Sequence, residues 1–70
     1  MSLVEELTEK YSVLDVPSYG KCVIIPEKDF ISDLEKTLRE RGVRIFRSHM
    51  GGPVVQVPLD DLKGILGEKT

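Results

Sequence analysis

The spacing of apolar residues changes period several times along this chain, and each change marks an element. Leu3, Val4, Leu7 and Tyr11 recur at helical spacing, which predicts a short amphipathic helix over about residues 3–10. Ser2-Leu3-Val4-Glu5 reads as a capping box, in which hydroxyl and carboxylate satisfy orphan amides at the helix start. Ser12–Val16 (SVLDV) and Lys21–Ile25 (KCVII) are strand-like runs. Between them, Pro17 presets φ and Gly20 tolerates positive φ, so this is a hairpin loop. Pro26 ends the second strand. Over residues 28–41, Phe30, Ile31, Leu34 and Leu38 form one stripe, the clearest helical signal in the chain. Gly42 follows as a left-handed C′ residue. Val43–Met50 and Pro53–Pro58 form a second strand pair, with Gly51-Gly52 suited to a tight two-residue turn. Leu59, Leu62, Ile65 and Leu66 mark a last short helix, followed by Gly67.

The order is α-β-β-α-β-β-α, which places the chain in the α+β class as a small two-layer domain. The four strands are expected to form one antiparallel sheet in the order first, second, fourth, third, resembling a circularly permuted ferredoxin-like plait. The two longer helices would cover one face, and Val43–Met50 would be an edge strand. Residues 1–70 read as a single domain, with a helix over 1–10 appended to a ββαββα unit over 11–67. Alternation assigns Leu14, Val16, Val43, Ile45, Val55 and Val57 to the inner face. Val13, Phe46 and Val54 then look outward, with either Val23 and Ile25 or Cys22 and Ile24. An outer face this apolar marks an interface. The first helix could cover part of it. Homodimerisation through that face or through the edge strand would cover the rest, with the arginines pairing to acids such as Glu5, Glu6 or Glu9 of the other copy.

Composition supports that expectation of association. A chain of this length buries only about 60% of its unfolded surface, and such a core supplies roughly 3–5 kcal/mol. The lone Cys22 cannot form an internal disulfide, and no spacing suggests a metal or another cofactor. The longest apolar run, Cys22–Pro26, is far short of a membrane span. Residues 1–16 carry four acids and no basic stretch ahead of an apolar one, which argues against a secretory signal and for a cytoplasmic protein. Asparagine is absent and Gln56 is the only glutamine, a lean toward thermophile-like composition.

Charge is distributed unevenly. All four arginines, Arg39, Arg41, Arg44 and Arg47, fall within nine positions, and His49 follows. Lys36–His49 holds half of the ten basic residues and a single acid, Glu40, in a chain of net charge −2. Arginine binds phosphate through two parallel hydrogen bonds and releases counterions in doing so. Arg44 and Phe46, two apart on a strand, share a face on which a base could stack, and Tyr19 with Lys21 offers a second aromatic and basic pair. The candidate contacts for single-stranded RNA or DNA are therefore Arg39, Arg41, Arg44, Phe46, Arg47, His49, Tyr19 and Lys21. Structural roles compete for the same residues. Arg39 and Arg41 complement a helix dipole, Arg44 and Arg47 point to opposite faces, and charge on an edge strand guards against aggregation.

Tyr19-Gly20-Lys21, followed by Val23 and Ile25 and then a helix, resembles the hairpin of the small translation initiation factor family that contains eukaryotic factor one. That family also runs β-β-α-β-β-α, and the order covers residues 11–66. The resemblance is one of plan. The family's glycine-rich element after the central helix is replaced here by Arg41-Gly42-Val43-Arg44, and a shared plan does not carry function across.

Signals for catalysis are weak. Cys22 and His49 would lie at opposite ends of the sheet, and a cysteine in CVII reads as a small core residue. Asp60-Asp61 reads as dipole complement in a helix first turn. Gly51-Gly52 precedes a strand rather than the helix that a phosphate loop feeds. The expected function is that of a small non-enzymatic interaction domain, with RNA or DNA binding through Arg39–Arg47 as its most concrete form. The alternative is a homodimeric protein–protein module with no nucleic-acid role.

Overall fold

The computed structural model describes residues 3–65. Ser2 of the expected capping box, and Leu66 and Gly67 of the last helix, lie outside the described residues. The elements follow the expected order: α1 (Leu3–Lys10), β1 (Ser12–Val16), β2 (Gly20–Pro26), α2 (Ser32–Glu40), β3 (Phe46–His49), β4 (Pro53–Pro58) and α3 (Leu59–Ile65). The strands form one antiparallel sheet in the order β1-β2-β4-β3. Among the described residues, no helix is long and apolar enough to cross a membrane.

The centre of the sheet is the pairing of β2 with β4, which sets Val23 opposite Val57 and Ile25 opposite Val55. All four side chains are fully buried. Val4 and Leu7 of α1, Leu38 of α2, Leu62 of α3, Phe30 and Val43 join them in one cluster. All three helices therefore contribute to the same face, and α1 does not cover the other one. Every strand residue in that cluster has the parity of Val23 and Val57.

Hairpin register corrects the expected inner face of β1. Tyr19 N–H donates to the Val16 carbonyl at 3.0 Å, and Gly20 takes φ +77° directly after the turn. Val16 then pairs with Gly20, so Val13 stands opposite Val23 and packs against the core. Leu14 and Val16 face the other way, and Leu14 is 42% exposed. Alternation favours Leu14 and Val16 because Asp15 shares the parity of Val13, but the turn fixes the opposite register.

Two other boundaries move for reasons visible in the backbone. The segment expected to open the central helix forms a separate 3-10 turn, Glu27–Asp29, closed by Phe30 N–H onto the carbonyls of Pro26 and Glu27. Ile31 then goes extended, at φ −69° and ψ 162°, and α2 starts at Ser32. The break lets Phe30 enter the core and leaves Ile31 59% exposed. At the other end of α2, Gly42 has φ +86°, its N–H donates to the Arg39 carbonyl, and Val43 N–H donates to the Leu38 carbonyl, each at 3.0 Å. This is the expected left-handed C′ glycine in a Schellman closure, with buried Val43 against buried Leu38 as its apolar contact. Val43 is thereby occupied outside the sheet, and β3 begins only at Phe46. The β3–β4 loop also takes one more residue than expected, Met50, whose N–H donates to the Gly52 carbonyl at 2.9 Å. Gly51 and Gly52 both keep positive φ.

Two glycines separate backbone from packing effects. A Cβ at Gly42 or at Gly64 meets nothing within 4 Å, but only Gly42 has positive φ. Gly42→Ala is expected to lower stability by about 1 kcal/mol, whereas Gly64→Ala, inside α3, is expected to raise it by up to about 1 kcal/mol. Urea unfolding followed by circular dichroism checks this: the two midpoints should move in opposite directions.

Candidate interaction surface

The arginine segment is where the sequence suggested a partner, and most of it finds partners within the chain. Arg39, in the last turn of α2, donates from Nε to Glu35 at 2.8 Å, one turn earlier. Arg47 lies on β3 opposite Val55, hence on the helix-covered side of the sheet. There it donates to Glu27 of the 3-10 turn at 3.0 Å and to Glu35 of α2 at 2.9 Å. Its guanidinium also stands 5.9 Å from the Phe30 ring centre. Arg44 forms a two-pronged pair with Asp61 in the first turn of α3, at 2.8 Å from Nε and 3.0 Å from Nη2. The Arg44 backbone N–H donates to the same carboxylate at 3.1 Å. With that amide directed at α3, Arg44 cannot extend β3 toward Val43. Arg44 and Arg47 thus fasten the segment after α2 to α3, to the 3-10 turn and back to α2, while Arg39 pairs within its own helix. Arg41, the C-terminal residue of α2's cap, is exposed.

The electrostatics follow this geometry. Hydrogen bonds from Arg39 and then Arg47 hold the Glu35 carboxyl below its ordinary range. The hydrogen bond from Arg44 does the same for Asp61, against some opposing desolvation. Burial raises the Cys22 thiol, outweighing the nearby Arg44 charge, so this fully buried cysteine is not a ready nucleophile. His49 is opposite Pro53, while Cys22 is opposite Pro58 at the other end of β4, which keeps the two apart as expected.

The aromatic residues are brought together rather than left as two separate pairs. Tyr19 from the β1–β2 hairpin stacks on Phe46 of β3, with ring centres 3.9 Å apart and planes 13° from parallel. Arg44 stands 5.9 Å from the Phe46 centre. Tyr19 leaves a hairpin that ends at β2, and β4 lies between β2 and β3. Its ring therefore reaches back across the sheet, on the face where Cys22 and Pro58 are fully buried and where Arg44 and Asp61 act on Cys22. Lys21 is exposed opposite Asp15.

That helix-free face has a uniform chemistry. Its rows are Leu14-Cys22-Pro58, Ser12-Ile24-Gln56-Phe46 and Pro26-Val54-Ser48. Val16 extends it, and none of these eleven positions carries a charge. In a chain with 31% charged residues, such a face stands apart from the rest of the surface. Among the described residues, three of the five exposed large apolar side chains, Leu14, Tyr19 and Met50, lie on it or against it. Gln56 is the buried polar group near its centre, and its Nε2 donates to Met50 Sδ at 3.4 Å. The sequence reading puts Leu14 on the inner face and leaves Cys22 and Ile24 as one of two alternatives for this one; hairpin register is the signal that decides both.

A shallow open groove of about 510 Å³ runs beside Glu27, Arg47, Ser48, His49 and Pro53. Its one arginine is already held between two acids. Among the described residues, no cluster of three or more His, Cys, Asp or Glu is placed to hold a metal ion. The chain matches no protein-family model, no curated protein and no solved structure, so its resemblance to the initiation-factor plan carries no family membership.

The lowered carboxyls of Asp61 and Glu35 give stability a defined pH dependence. A depressed folded-state pKa stabilises above the ordinary carboxylate range, near about pH 4, and that contribution disappears as pH falls through the lowered value. Asp61→Asn is expected to lower the urea midpoint at neutral pH, and the gap to wild type should close below about pH 3. A gap that stayed constant across the titration would mean that the Arg44 pair does not contribute to stability.

Proposed function

We propose that this chain is a non-enzymatic interaction module that docks a protein partner through the helix-free face of its sheet. The observation that carries the reading is the absence of charge from all eleven outward strand positions. Exposed Leu14, Tyr19 and Met50 provide the apolar contact such a face would offer. Apolar area of this kind is what an interface buries.

The nucleic-acid reading has less support. A phosphate at Arg44 would compete with two hydrogen bonds to Asp61, and one at Arg47 with bonds to both Glu27 and Glu35. A base seeking Phe46 meets a ring on which Tyr19 is already stacked. The net charge of −2 adds no long-range attraction for a polyanion.

Fluorescence anisotropy with labelled single-stranded RNA and duplex DNA, at low and physiological salt, tests the choice. The expected result is no binding, together with a lower unfolding midpoint in the Arg44→Ala, Arg47→Ala double variant. Micromolar binding that weakens steeply with salt, and that the double variant loses while still folded, would overturn the protein-docking reading.

A further inference from the structure

We infer that the occupant of the helix-free face is a second copy of the chain, packed sheet against sheet about a two-fold axis; this rests on the docking reading above and names its partner. In an isologous contact each patch meets its own likeness. A face bearing charges must then be arranged so that like signs avoid one another. The strand positions around Leu14, Ile24, Val54, Gln56 and Phe46 carry no charge, and Arg44, which stands beside Phe46, is neutralised by its own pair with Asp61, whereas α1 and α2 present Glu5, Glu6, Lys36, Arg39 and Glu40.

The size of the face sets the strength of the contact. Four strands about 4.8 Å apart, each contributing about five residues at about 3.4 Å, give a flat footprint of roughly 320 Å². Side-chain relief raises the accessible area to the order of 500 Å² per copy, or about 1,000 Å² in all, which reaches the lower bound for a specific interface. Part of this face is already roofed by the Tyr19–Phe46 stack and by Met50 over Gln56. The dimer is accordingly weak and reversible, forming in the micromolar range. The alternative of edge pairing has little to work with: β3 has four residues and β1 five, and Pro17 directly follows β1 without an N–H to offer.

Sedimentation equilibrium over roughly 1 μM to 1 mM tests the inference. Wild type is expected to pass from monomer to dimer across that range. Leu14→Glu should weaken dimerisation at least tenfold. Leu14 is 42% exposed, so the variant can fold, and Leu14→Thr, which suits a strand, should weaken it to a smaller degree. Ile31→Glu, 59% exposed in the helical layer, should leave the equilibrium unchanged. Hydrogen exchange should show no new protection of β1 backbone amides in the dimer. A wild type that stays monomeric to 1 mM overturns the second-copy inference, while the docking reading falls only to nucleic-acid binding. A dimer indifferent to both Leu14 variants, broken by Ile31→Glu, or accompanied by new β1 amide protection overturns the face-to-face arrangement.

Discussion

The pairing of β2 with β4 is the constraint on which the rest of the structure depends. It joins strands some thirty residues apart, so a long loop must close before Val23 can meet Val57 and Ile25 can meet Val55. Those side chains are fully buried, and each helix adds residues to the cluster they begin. A one-residue slip of β4 would turn Val55 and Val57 to the opposite face and bring Val54 and Gln56 under the helices. The helices could then bury a glutamine in place of valine. Register in this pair therefore decides which face is core and which face is left for a partner.

Against that background the charge inversion after α2 acquires a mechanical meaning. The segment from Arg39 to Arg47 must leave a helix, cross to the far edge of the sheet and start a strand within a few residues. Backbone hydrogen bonds of the Schellman closure use the first part of it, and Asp61 takes the Arg44 amide. Three of the arginines then make ion pairs: Arg39 within its own helix, Arg44 with the start of α3, and Arg47 with both the 3-10 turn and α2. Exposed ion pairs contribute little singly, but Glu35 links two of these arginines and Asp61 accepts three hydrogen bonds from one residue. Networks of this kind fix geometry more than they add stability, which suits a connection with no regular secondary structure.

Much of this was legible in the sequence. Element order, strand order and the left-handed Gly42 follow from periodicity and turn chemistry, because short strands separated by prolines and glycines leave few antiparallel arrangements. Misassignments arose where two readings shared one pattern. SVLDV has apolar residues at both parities, and Asp15 beside Val13 tips the pattern toward Leu14 and Val16 as inner residues, whereas the Val16–Gly20 pairing sets the opposite register. Phe30 and Ile31 fit a helical stripe, yet one is in the core and the other at a helix cap, since a 3-10 turn intervenes. The arginine cluster was visible as composition, but its acids lie up to twenty residues away in sequence, and only the fold brings Glu27, Glu35 and Asp61 to it.

The partial roof over the helix-free face bears on how such a small chain can expose it at all. Tyr19 folds back onto Phe46, and Met50 reaches the Gln56 amide. A thioether is a weak acceptor, so the contact satisfies Gln56 without holding Met50 tightly. Flexible methionine and a stacked tyrosine are side chains that can repack against a second apolar surface. In the proposed dimer the same two residues would serve the isolated chain and the assembled one. They reduce the exposed apolar area of this face, and they leave Leu14 exposed beside half-buried Ile24. The uncharged face and its incomplete roof are consistent with one requirement, a surface that associates weakly without committing the monomer to aggregation.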